Sequence, residues 1–185
     1  MITEDRIGNL ADCWFDGVIG IAWEDRTIEI LKKIHNIPMV WFSDNQSYWC
    51  HTVFTNCYEN GKLAGQYLLG KGHRRIGVLL SEGRSYTLST MTETLRLCAA
   101  TLGCEVRFFD AEIRKGVDSC VQTRAYLERN CGEIAGSGIS ALFVCSYATA
   151  REALAFLERR GIDVPGRLSL LSYGFDSIPD ETPRI

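Results

Sequence analysis

Along this chain, continuous apolar runs alternate with stretches whose apolar positions recur at three- and four-residue steps. The clearest case lies between Thr55 and Leu80. There Leu63, Ala64, Tyr67, Leu68 and Leu69 mark one face of a helix. Gly70 and Gly72 break that period, because glycine enters the left-handed conformation of a helix end at little cost. Ile76-Gly77-Val78-Leu79-Leu80 follows as an unbroken apolar run, the mark of a strand covered on both faces. The spacing predicts a helix, a tight turn and a buried strand.

The alternation extends on either side. Residues 2–12 read as a short helix with Thr3 as N-cap, and Val18–Ala22 as a first buried strand. Asp25 caps a helix carrying Ile28, Ile30, Leu31 and Ile34, and Pro38 leads into the strand Met39–Phe42. A short strand is expected over Thr52–Thr55. Past Leu80, helices are expected over Ser89–Leu102, Val117–Cys131 and Ala148–Arg160. Strands are expected over Cys104–Phe109, Ile139–Val144 and Leu168–Tyr173, with Gly132–Gly138 as a loop. Strands alternating with helices across short connections specify right-handed β-α-β units, so the class is α/β, with parallel sheets and helices on both faces. In such folds ligands lie beyond the carboxyl ends of the strands, which makes the loops after the strands the place to look for function.

At 185 residues the chain can bury a full core as one domain or two small lobes, and 46% apolar with 23% charged residues is ordinary for a soluble globular protein. A formal charge of −3 gives no nucleic-acid surface; Arg74-Arg75 and Arg159-Arg160 are isolated pairs. None of the eight cysteines forms a C-x-x-C pair, and His35, His51 and His73 stand at no metal-ligand spacing to them. Cysteines within apolar runs, such as Cys145 after Leu142-Phe143-Val144, read as small buried hydrophobes of a reducing cytosol. No apolar run reaches the roughly 20 residues of a membrane span, and the acidic opening Met1–Arg6 is no signal peptide. Neither a G-x-S-x-G elbow nor a Walker A loop is present, so the chain reads as non-enzymatic, with no cofactor.

Tyr58-Glu59, Gly61-Lys62-Leu63-Ala64, Leu68 and then Gly72-His73-Arg74-Arg75-Ile76 resemble the signature of LacI-type bacterial repressors. The D-G-V-I strand at Asp16–Ile19 and the I-P-M-V strand at Ile37–Val40 are similar to that family too. The resemblance implies the two-lobe effector-binding core that these repressors share with periplasmic binding proteins. Residues 1–55 would be an incomplete N-terminal lobe and 56–185 most of the C-terminal lobe. An N-terminal helix-turn-helix, the first β-α elements of lobe one and the return segments would lie outside this chain.

The resemblance also implies candidate ligand residues. Arg96, in Leu95-Arg96-Leu97, falls where the family carries its effector-contacting arginine, although Ala99-Ala100 replaces the usual Gly-Phe. Its planar fork suits two ligand oxygens. Ser146-Tyr147 stands in place of the family's Asn-Asp, after the strand ending at Cys145; serine there is also a good helix cap. Asp176 matches the family's aspartate if Gly174–Pro179 is aligned to G-F-D-D-I-P; counting from Val164-Pro165 puts Gly174 there instead. Asp44 follows the Met39–Phe42 strand and equally suits an Asx turn. Trp23, on a post-strand loop, offers a stacking face for a sugar ring.

The expectation is therefore a cytoplasmic effector-sensing domain of a LacI-type regulator. It binds a small carbohydrate-like effector between its lobes, works as a homodimer and reaches DNA only through a segment absent from this chain. It has no membrane partner. The alternative is the solute-binding receptor of a sugar importer, against which eight cysteines in an oxidising periplasm argue.

Overall fold

The structure is a computed structural model, and it describes residues 16–21, 29, 31–32, 37–42, 50–83, 85–114 and 116–174. The chain divides into two compact units, Met1–Asn56 and Cys57–Ile185.

In the first unit, β1 (Val18–Ile21), β2 (Met39–Phe42) and β3 (His51–Val53) form a parallel three-stranded sheet in sequence order. Side chains alternate across it. Trp41 is buried on one face, where Gly20 lets the indole lie so close that a Cβ would come within 2.4 Å of it. On the other face Ile19 pairs with Val40, and Ile21 with Phe42, which in turn pairs with Val53. All five of these side chains are exposed, Ile19 at 71% and Ile21 at 64%. The expectation that Val18–Ala22 is a buried strand is therefore corrected. β1 is half-buried, because no helix among the described residues lies over that second face. The helices expected over 2–12 and after Asp25 fall outside the described residues, apart from Glu29, Leu31 and Lys32; Leu31 is fully buried.

The second unit follows the sequence more closely. Its elements are α1 (Cys57–Gly70), β4 (Arg75–Leu80), α2 (Tyr86–Ala100), β5 (Glu105–Asp110), α3 (Ser119–Gly136), β6 (Ala141–Val144), α4 (Tyr147–Arg159) and β7 (Ser169–Ser172). All pairings are parallel, in the order β5-β4-β6-β7. α1 ends in a Schellman turn: His73 N–H bonds Leu68 C=O at 3.1 Å and Gly72 N–H bonds Leu69 C=O at 2.9 Å, with Gly72 at φ +91°. β4 then dives into the core, and alternate residues feed two apolar clusters. Ile76 and Val78 join Leu68, Leu69, Met91, Leu95 and Phe143 on the side of α1 and α2. Leu79 joins Phe109, Leu127, Ile134, Leu142 and Leu157 on the side of α3 and α4.

α3 departs from the expected pattern. It runs five residues past Cys131 to Gly136, through an irregular Asn130 (φ −110°, ψ 17°) whose side-chain amide donates to Tyr126 C=O at 2.8 Å. Burying Ile134 against the second cluster repays continuing through the kink, so Gly132 does not end the helix.

Candidate functional site

The sheet order fixes where a ligand can enter the second unit. From β4 the chain steps outward to β5 through α2, then returns across β4 to β6 through α3, so the crossovers leave opposite faces. With right-handed connections this makes the carboxyl ends of β4 and β6 the topological switch point, where the crevice of an open α/β sheet takes its ligand. Register brings Leu79 beside Val144 there, so the next residues, Ser81-Glu82 and Cys145-Ser146-Tyr147, stand on facing loops. β5 and β7 end on the same rim, at Asp110 and Ser172.

The loops are held by their own polar groups. Asp110 Oδ1 accepts from Glu112 N–H at 2.8 Å, an Asx turn that supports the left-handed Glu112 at φ 51°. Gln122 Oε1 accepts from Arg114 N–H at 2.9 Å, while its amide nitrogen donates to the Arg114 and Val117 carbonyls. Asp118 caps α3 through Val121 N–H, and Ser85 caps α2 through Leu88 N–H.

Ser146 behaves differently. It occupies the N-cap of α4 with extended geometry (φ −139°, ψ 139°), yet its hydroxyl makes no capping bond. That hydroxyl is therefore not committed to the helix end, on a half-buried residue next to half-buried Tyr147. Below them, Ser81 Oγ and Thr149 Oγ1 lie 2.6 Å apart, both residues fully buried, and Thr149 Oγ1 donates to Ser146 C=O at 3.2 Å. Burial pushes the Cys145 thiol up to about 12, with the Glu82 carboxylate adding to the shift. Cys145 is therefore a buried, neutral thiol at the end of β6, and Glu82 is a carboxylate near enough to act on it.

Of the residues singled out from sequence, the structure brings Ser146 and Tyr147 together at this rim and does not bring Arg96 to it. Arg96 lies ten residues past the start of α2, about 15 Å along the helix axis. Its guanidinium is paired with Glu93, Nε donating to Oε2 at 2.9 Å, and this bond holds the Glu93 carboxyl below its ordinary value. Trp23, Asp44 and Asp176 lie outside the described residues. Glu82, Ser81 and Thr149 went unread in the sequence. Glu82 had a usable signal, as a carboxylate two residues beyond a buried strand; the two hydroxyls had none, since their partnership spans 68 residues. Among the described residues no group of His, Cys, Asp and Glu could hold a metal ion, and no helix is long and apolar enough to cross a membrane.

Residues 66–184 match the family model described as a periplasmic binding protein-like domain. The HTH-type transcriptional repressor PurR of Erwinia tasmaniensis is 28% identical over 173 residues, covering 85% of this chain and 46% of that protein. Among solved structures, a PurR family transcriptional regulator from Vibrio parahaemolyticus superposes with a TM-score of 0.72 at 18% identity, over 91% of this chain and 63% of that one. A LacI family regulator from Lactobacillus casei with bound glucose gives 0.68 at 19% identity, over 92% of this chain and 64% of that one. The chain spans about half the length of the curated relatives it matches.

Proposed function

The chain belongs to the periplasmic binding protein-like family, in the form found in LacI-type regulators, and from that premise we propose that it senses a small neutral polyol, a sugar or close derivative. The crevice between β4 and β6 supplies the C-terminal half of the effector site. One observation carries this reading: Ser146, at the N-cap of α4, makes no side-chain capping bond, and with Tyr147 it follows the end of β6, beside the end of β4 that leads into Glu82. A carboxylate and a hydroxyl accept and donate to sugar hydroxyls, and an aromatic ring covers the apolar face of a pyranose. Effector binding by differential affinity would bias one lobe arrangement of the whole protein. That bias would reach DNA through a helix-turn-helix segment, as the similarity to proteins named HTH-type transcriptional repressors supports, and the whole protein would act as a cytoplasmic homodimer. The reading is non-enzymatic.

The test is calorimetric melting of the chain with D-glucose and a panel of neutral monosaccharides. A binding sugar at a hundredfold excess over its Kd raises stability by about 2.7 kcal/mol. Tyr147→Ala and Glu82→Gln are expected to abolish the shift, while Arg96→Ala leaves it intact. A panel in which no neutral sugar moves the transition, or a shift that survives both rim substitutions, would sink the proposal.

A further inference from the structure

Resting on that site, we propose that Thr149 is the positioning residue of the crevice, acting through a hydroxyl chain that sets the spacing of its two walls. Three observations converge on it. Ser81 and Thr149 come from opposite sides of the switch point: Ser81 is the first residue after β4, and Thr149 lies in the first turn of α4 beyond β6. Their oxygens are 2.6 Å apart and wholly shielded from water, where a lost partner is costly. Thr149 also donates to Ser146 C=O. A hydroxyl has one proton, so with that proton on Ser146 the bond between the walls is donated by Ser81. The polarity is then fixed as Ser81 O–H to Thr149 Oγ1, and Thr149 O–H to the carbonyl of Ser146.

This chain links the residue before Glu82 to the residue that carries the rim hydroxyl. Ser146 C=O already accepts from Ala150 N–H at 2.9 Å, so the helix does not need Thr149 for that carbonyl. What the second bond adds is a fixed orientation of the Ser146–Tyr147 corner relative to β4. Ser146 forgoes its own cap, and Thr149 holds the corner from within. Removing either hydroxyl leaves the sheet intact and lets the walls part.

Two substitutions separate the hydroxyl from the packing. Thr149→Val keeps the shape and loses the oxygen, whereas Thr149→Ser keeps the oxygen and loses the methyl. Amide resonances of Glu82, Ser146 and Tyr147, followed by NMR in the full chain without ligand, are expected to shift in Thr149→Val and to stay in place in Thr149→Ser. Ser81→Ala should move the Tyr147 amide across the crevice. The double variant Ser81→Ala with Thr149→Val should match the larger single effect, because both break one chain. Affinity for D-glucose is expected to fall about tenfold in Thr149→Val and recover in Thr149→Ser. Effects that add in the double variant, or restoration by valine rather than serine, would overturn the hydroxyl chain in favour of plain packing. If D-glucose does not bind, the sugar reading fails alone, and the amide shifts still decide the role of Thr149.

Discussion

Cys145 shows how one position combines core and rim. It is buried in the cluster that α1 and α2 lay on the sheet, yet it is also the first residue after β6. Burial, with the Glu82 carboxylate second, raises its thiol to about 12, against an unfolded thiol near 8.5. Between those values the folded chain keeps a proton that the unfolded chain has lost. Stability contributed by this group is therefore complete below about pH 8.5 and falls as pH rises toward 12, by at most about 1.4 kcal/mol per unit. Urea unfolding at stepped pH from 8 to 10 should show a shallower decline for Cys145→Ala than for the parent chain. Equal slopes would mean that the thiol titrates normally. Alkylation at pH 8 should also leave Cys145 unmodified until the chain is unfolded.

At the scale of elements, the glycines of the α1 signature have a mechanical reading. A Cβ on Gly61 would come within 2.1 Å of Met91 C=O, and one on Gly65 within 3.2 Å of Cys98 Cβ. The pair is one helical turn apart, so α1 lies directly against α2 along that stripe. Gly77 does the same inside β4, where a Cβ would meet Ile139, Phe109 and Leu142 at 2.6 to 3.0 Å. Gly61→Ala and Gly77→Ala are each expected to cost roughly 1–3 kcal/mol, with Gly65→Ala milder because its closest approach is 3.2 Å. Chemical denaturation ranks the three, and a neutral Gly61→Ala would refute the close crossing. These contacts explain why the order of elements was legible in the sequence. The 3.6-residue period, the stop at Gly72 and the run after it each report a local requirement. Where local rules erred, distant packing had decided: α3 passes Gly132 to bury Ile134, and Ile19 and Ile21 have the composition of a buried strand on a face left exposed.

Across the whole molecule, apolar layers and surface charge contribute unequally. Arg160 and Arg159 both reach Glu128, Arg124 reaches Glu152 and Arg107 reaches Glu133, tying α3 to α4 and β5. Apart from half-buried Glu152 they lie in solvent, where ion pairs contribute little and are screened by salt. Glu128→Gln and added salt should hardly move the melting temperature, whereas Leu127→Ala, one residue away in the core, should lose about 2–5 kcal/mol. A large salt-dependent shift would reverse that ranking. The site was legible to the same degree as the long-range order. Ser146 and Tyr147 were candidates through family likeness and a post-strand position, which is local, while the sheet order that sets the Glu82 segment beside theirs, and the hydroxyls joining the two walls, are properties of the folded chain. Arg96 was a candidate through the same family likeness and stands ten residues into α2.

The open side of the first sheet has a practical consequence. Ile19, Ile21, Val40, Phe42 and Val53 present a patch of the kind that takes up environment-sensitive fluorophores such as anilinonaphthalene sulfonate. The native chain should therefore fluoresce brightly with such a dye before any heating, and Ile21→Lys with Phe42→Glu should dim that signal without loss of helical circular dichroism. A dye-reported melting screen would start near saturation and conceal an effector, so calorimetry or intrinsic tryptophan emission is the readout that would reveal one.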